Sequence, residues 1–171
     1  MKRRELEKAL LVLETTPLLL RRIDAVPPAL TARVRVEGVS VRDRAWALAV
    51  LEKDLWNRSI RLILSEDMPR LTEVSEHEVL ERASRMDGDH REALRVFGVF
   101  RGQNVRLLRQ AAGRQWDRQG FFDPERPMYL REVPASMARS DERQQTRLLR
   151  VFPAEDLPRD AEAPVLAGFC A

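Results

Sequence analysis

The sequence predicts an all-α protein: a four-helix bundle with a short accessory helix between helices 2 and 3 and an irregular C-terminal tail. Three observations predict it. Four stretches of about 20 residues repeat apolar side chains at i, i+3, i+4 and i+7, the period of an amphipathic helix. No stretch alternates with period two for long enough to propose a sheet. The prolines fall mostly in the segments that separate the helical stretches and in the tail.

The first helix is read over residues 5–25, on Leu6, Leu10, Leu13, Leu20 and Ile23, as one helix kinked at Pro17 and ended by Val26-Pro27-Pro28. Residues 30–39 read as a loop with room for one helical turn. Ser40 followed by Asp43 resembles a capping box, so the second helix is read over 41–64, with a core stripe of Val41, Ala45, Leu48, Leu51, Leu55 and Leu62 flanked by Trp46 and Trp56. A short helix over 75–86 carries a full capping box, Ser75 with Glu78. Asp87-Gly88-Asp89 breaks it. The third long helix, 90–112, lies on Leu94, Phe97, Arg101, Val105 and Leu108, with Gly113 as its terminator. Residues 114–128 read as a polar loop. The fourth helix runs over 130–151, with Pro134 near its first turn, where proline is tolerated. We expect a domain of 1–152 followed by a tail of 153–171.

A chain of 171 residues suits one domain and can bury a full core. Its 30 basic residues are interleaved with 27 acidic ones, for a net charge of +3, a weak electrostatic footprint that does not point to nucleic acid. The lone cysteine, Cys170, cannot close an internal disulfide and is read as an incidental tail residue. No apolar run is long enough to span a membrane, and the basic start leads into an amphipathic helix rather than a signal peptide. A cytoplasmic location is expected.

Particular residues then point to a family. Thr16-Pro17 lies in the first helix, and Glu37-Gly38 precedes Ser40-Val41. Leu48-Ala49 and Glu52 fit a stretch written His-Leu-Ala-x-x-Glu. Phe97 and Arg101 follow on the third helix, Trp116 in the next loop, and Leu130-Arg131-Glu132 at the start of the last helix. Asp141 fits the Asp of a His-Asp-x-x-x-His or His-Asp-x-x-His element. In this order and spacing, over residues 5–152, the chain resembles the DinB-like superfamily of four-helix bundles, which includes thiol-dependent S-transferases and many uncharacterised metal-dependent hydrolases.

The resemblance implies a metal site built from one histidine of the second helix and two, one turn apart, of the last. Residues at i and i+4 share a helix face, so two such imidazoles reach one ion, and a third ligand from a facing helix leaves positions open for water or a thiol. Here the corresponding positions hold Ala47, Ser140 and Gln144, and no histidine follows His90. Alanine has no donor atom, and serine and glutamine are poor ligands for zinc or nickel. No metal or other cofactor is therefore expected. His77 and His90 are expected to be solvated surface residues, with Asp87, Asp89 and Glu92 serving the positive end of the third helix. Glu52 and Asp141 are expected to pair with Arg101 or another bundle arginine rather than to act as a general acid and base. Ser140 lacks a histidine to activate it as a nucleophile.

Ser140 and Gln144 interrupt the apolar stripe of Val133, Met137, Leu148 and Val151. Small or polar residues in place of imidazoles leave either an open pocket or one filled by neighbours, and the sequence decides neither. The expectation is a metal-free DinB-like protein, catalytically inactive or binding a small molecule, with Ala47, Glu52, Arg101, Ser140, Asp141 and Gln144 around the former site. The resemblance also implies a homodimer. Two alternatives stand beside this: a transferase or hydrolase with other metal ligands, and a stress-related nucleic-acid or protein interaction module. The latter would use a basic stripe of Arg139, Arg143, Arg147 and Arg150.

Overall fold

The computed structural model describes residues 3–149 and 151–152. The expected tail with Cys170, and Arg150 of the stripe, lie outside them. Among the described residues no helix is long and apolar enough to cross a membrane.

Helix α1 spans Arg3–Leu20 and tightens into a 3₁₀ turn, Arg21–Ala25. It runs through Pro17, whose ring nitrogen offers no hydrogen to the carbonyl one turn back, that of Leu13. A short helix α2, Pro28–Arg33, leads to a two-stranded hairpin of β1, Arg35–Val36, and β2, Val39–Ser40. Glu37 and Gly38 form its turn with φ of 50° and 81°, the left-handed pair of a two-residue type I′ hairpin. Ser40 then caps α3 by accepting from the Asp43 amide at 3.0 Å.

The second bundle helix is continuous but not uniform. It consists of α3, Val41–Val50, a π-helical segment, Leu51–Asn57, and α4, Arg58–Ser65. The wider segment delays the helical phase. Val41, Ala45 and Leu48 are buried as expected, but the stripe continues through Glu52, Trp56, Ile60 and Ile63, while Leu51, Leu55 and Leu62 are only half-buried. The expected core positions beyond Leu48 are thus displaced by one, because a π turn holds more residues than an α turn.

Helix α5, Glu76–Ser84, starts at the Ser75–Glu78 capping box and buries Val79 and Ala83. Helix α6, His90–Gln110, is capped by Asp89, whose carboxylate accepts from the amides of Arg91 and Glu92. The loop expected over 114–128 instead holds a 3₁₀ turn, Gly113–Asp117, and a second hairpin of β3, Gln119–Phe121, and β4, Pro127–Tyr129. Strands of two or three residues are too short for alternation to reveal, which is why both hairpins escape a reading by period. A 3₁₀ turn, Leu130–Glu132, opens α7, Val133–Leu149.

The four long helices are therefore α1, the α3–α4 rod, α6 and α7, with α5 packed on α3. Their core is in two apolar parts. One gathers Leu20, Ile23, Ala45, Leu48, Phe97 and Leu148; the other gathers Leu13, Trp56, Ile60, Leu108, Val133 and Met137. On each long helix the residue that falls between the two parts is polar: Thr16, Glu52, Arg101 and Asp141, all buried.

His90 corrects the expectation of a solvated histidine, whereas His77 is exposed on α5. The His90 ring is 0% exposed. Its Nε2 donates to the Ile23 carbonyl at 2.9 Å, and its Nδ1 faces the Thr31 hydroxyl at 3.0 Å. The ring ties the start of α6 to the turn after α1 and to α2. Sequence spacing could not show this, because both partners lie about 60 residues away. Burial pushes the imidazole below its ordinary 6.5, against the pull of the Ile23 carbonyl, Asp89 and Asp24 and with the help of Arg91. The folded state therefore holds the neutral ring, and this contribution is present above about pH 6.5 and fades as the pH falls, at no more than about 1.4 kcal/mol per unit. The Tm difference between the wild type and His90→Gln is expected to be largest at pH 7.5 and to shrink towards pH 5. A difference that grows on acidification would contradict a neutral buried ring.

Candidate functional site

The buried polar layer centres on Arg101, which is 2% exposed, with Glu52 and Asp141 at 1% and 3%. Its Nε and Nη2 each lie 2.8 Å from one oxygen of Glu52. Its Nη1 and Nη2 lie 2.5 and 2.8 Å from the two oxygens of Asp141. Both carboxylates are thus gripped bidentately, the geometry to which a planar guanidinium is suited. Asn104 adds a donor to Glu52 at 2.7 Å and is itself held by Asn57. Thr16 Oγ1 lies 2.9 Å from Asp141 and accepts from Gln145. The Leu13 carbonyl, freed by Pro17, is reached by Arg101 Nη1 at 3.4 Å. The Thr16-Pro17 pair thereby supplies the network with both a hydroxyl and a bare carbonyl.

Burial raises the Glu52 carboxyl above its ordinary range, against the pull of Arg101 and Asn104. Burial alone would lower Arg101, but Asp141 and Glu52 more than offset it and hold the guanidinium above its usual value. All four long helices contribute to this knot, and its hydrogen-bonding groups are turned on one another. It is arranged to clamp helices.

The remaining residues of the expected site lie elsewhere. Ala47, Ser140 and Gln144 line a cleft of about 430 Å³ between the α3–α4 rod, α5 with its preceding segment, and α7. Glu52, Arg101 and Asp141 are not part of its lining. The structure thus divides the six residues into an outer trio in the cleft and an inner trio sealed behind it.

One wall of the cleft is apolar: Ala47, Leu51, Leu55, Trp56, Val74, Val79 and Leu80. The other is the α7 edge, where Ser136, Arg139, Ser140, Arg143, Gln144 and Arg147 recur at helical spacing. One end is closed by ions. Arg44, buried on α3, donates to the Val36 carbonyl at 2.8 and 3.0 Å and pairs with Glu37 at 3.1 Å, and Arg147 pairs with Glu37 at 3.1 Å and Glu76 at 2.8 Å. Burial, and then the neighbouring charge of Arg147, lower the Arg44 pKa. The Glu37-Gly38 turn thus does more than reverse the chain: it delivers a carboxylate between two arginines. Composition and helical phase alone do not reveal Arg44, Glu37 or Glu76 as neighbours of this cleft, since they come from three separate elements.

The three cleft positions supply a methyl, a hydroxyl and an amide. Among the described residues no group of three or more His, Cys, Asp or Glu is placed to hold a metal ion. The cationic α7 edge adds repulsion to a poor donor set, so the cleft does not fit a divalent cation.

No protein-family model matches the chain, and no curated protein matches it. A solved structure does. It is YfiT from Bacillus subtilis, described as a probable metal-dependent hydrolase with an unusual four-helix bundle topology. The alignment covers 88% of this chain and 87% of that one, with a TM-score of 0.75 and 18% sequence identity. The two chains share a fold. That fold is the four-helix bundle expected from the order of the segments, and at this identity the likeness speaks for the fold alone.

Proposed function

We propose that this protein is a DinB-like bundle that works without the family's metal site and binds a small molecule in the cleft between the α3–α4 rod, α5 and α7. The observation that carries the reading is the cleft at Ala47, Ser140 and Gln144. Its volume of about 430 Å³ falls within the range of small-molecule pockets, and its mixture of apolar wall and a few polar groups is their usual lining. The positions where the resemblance implies ligands hold side chains that ligate metals poorly. The two carboxylates that could have served as acid and base face Arg101 instead, and Ser140 has no imidazole to activate it, so the reading is binding rather than catalysis. The homodimer that the resemblance implies belongs to the same proposal and is read by sedimentation velocity.

The test is metal content. Tag-free protein, dialysed against zinc and then nickel and desalted, is expected to retain far less than one ion per chain by plasma mass spectrometry. One ion per chain, retained through desalting and lost when Gln144 or Ser140 is replaced by alanine, would overturn the reading and return the protein to metal-dependent chemistry.

A further inference from the structure

We propose that the ligand of this cleft is an organic anion: a carboxylate or phosphate monoester held by Arg139 and Arg143, carried on an apolar body that lies against Leu51, Leu55 and Leu80. The inference rests on the binding reading above and specifies the ligand's chemical class.

The charges around the cleft lead to it. Its lining holds four arginines, Arg44, Arg139, Arg143 and Arg147, and one acid, Glu76. Arg44 and Arg147 are engaged by Glu37 and Glu76, two cations with two anions. The other two are not compensated. Arg139 donates to the neutral hydroxyl of Ser136 at 3.0 Å, and Arg143 has no carboxylate partner among the described residues. They lie one helical turn apart on the same face of α7, so two guanidinium groups share the cleft's edge. Each presents a planar fork of N–H donors that matches the oxygens of a carboxylate or phosphate.

The facing wall offers no competing anion. Leu51, Leu55, Val74 and Leu80 present only hydrocarbon, and they are only part-buried, so an apolar body laid there removes their surface from water. Between wall and edge, Ser140 and Gln144 add neutral hydrogen-bonding groups. A cationic ligand meets repulsion at this edge, and a wholly polar anion leaves the apolar wall wet. A nucleic-acid strand finds one aromatic, Trp56, which is already packed in the core. An anionic amphiphile satisfies both sides at once.

The experiment is calorimetric titration of the full chain with four probes built on eight carbons: octanoate, octyl phosphate, octanol and octylamine. Both anions are expected to bind about tenfold or more tightly than octanol, with octylamine weakest, as charge-assisted hydrogen bonds to arginine would give. The Arg139→Gln/Arg143→Gln variant is expected to lose that margin while octanol binding stays unchanged. Both side chains are exposed, so the fold is not at stake, and an unchanged melting curve verifies it. The ratio of octanoate to octyl phosphate tells which head group is preferred. Ser140→Phe, which fills the cleft, is expected to abolish binding of every probe. If octanol binds as tightly as the anions and the double variant changes nothing, the anion assignment fails while the binding cleft stands. If no probe binds, or Ser140→Phe leaves binding intact, both fail.

Discussion

Arg101→Met is expected to destabilise the protein by about 3–5 kcal/mol, because it leaves two buried carboxylates without their counter-charge. For a chain of this length that corresponds to a fall in Tm of on the order of 10 °C, measured by calorimetry or circular dichroism. The size follows from the position of the residue. Arg101 sits where the core changes from one apolar part to the other, and it bonds α1, the α3–α4 rod and α7 while belonging to α6. Removing it does not expose the acids to water. They must take up protons or draw water into the bundle, and either response costs free energy. The complementary variant, Glu52→Leu/Arg101→Met/Asp141→Leu, is expected to recover most of the loss, since an apolar layer of similar volume carries no desolvation penalty. If Arg101→Met melts within a degree or two of the wild type, the knot does not clamp the helices.

The second large effect concerns metal. Ala47→His/Ser140→His/Gln144→His is expected to create a zinc or nickel site in the cleft. Residues 140 and 144 share a helix face one turn apart, and position 47 lines the same cleft from the facing helix. At a metal concentration of about 100 times Kd, a site present only in the folded state stabilises by about 2.7 kcal/mol. That corresponds to a rise in Tm of about 5–10 °C, reversed by a chelator. The wild type is expected not to respond. Arg139 and Arg143 lie close by, so removing their charge in the triple-histidine background is expected to tighten metal binding further. A triple variant that retains no metal would refute the assignment of positions 47, 140 and 144 as the family's ligand positions.

The two predictions separate what the expected site residues do. The first tests the inner trio through stability, and the second tests the outer trio through metal binding. On the α3–α4 rod the division follows from the π-helical segment Leu51–Asn57. It carries Glu52 and Trp56 into the core and leaves Leu51 and Leu55 at the cleft wall, so the same turn seals the ion pair and builds the apolar side of the cleft. Such segments are found often at functional sites, and here its consequence is visible in which side chains it redirects.

Much of the fold was legible. The four long helices and the accessory helix follow from apolar spacing, and the starts of α3 and α5 follow from Ser40 and Ser75, because capping is a local matter of one hydroxyl and an amide three residues on. The core faces of α1 and α6 were read correctly at Leu10, Leu13, Phe97, Arg101, Val105 and Leu108, since both helices keep one period throughout. The rod of α3 and α4 does not, and there the reading slipped by one from Leu51 onward. The two hairpins were missed because two or three residues carry no period.

What the sequence by itself determined is the class of the bundle and the chemical poverty, for metal binding, of Ala47, Ser140 and Gln144. Those are properties of local periodicity and of side-chain identity. What only the tertiary structure decided is which charges find partners. Arg143 and Arg147 are indistinguishable along α7, four residues apart on one face. Arg147 meets Glu37 and Glu76, brought from a hairpin turn and an accessory helix, and Arg143 meets open cleft. A helix's own sequence says which residues share a face, but what opposes that face comes from segments 70 to 110 residues away, and the path of the intervening chain sets it.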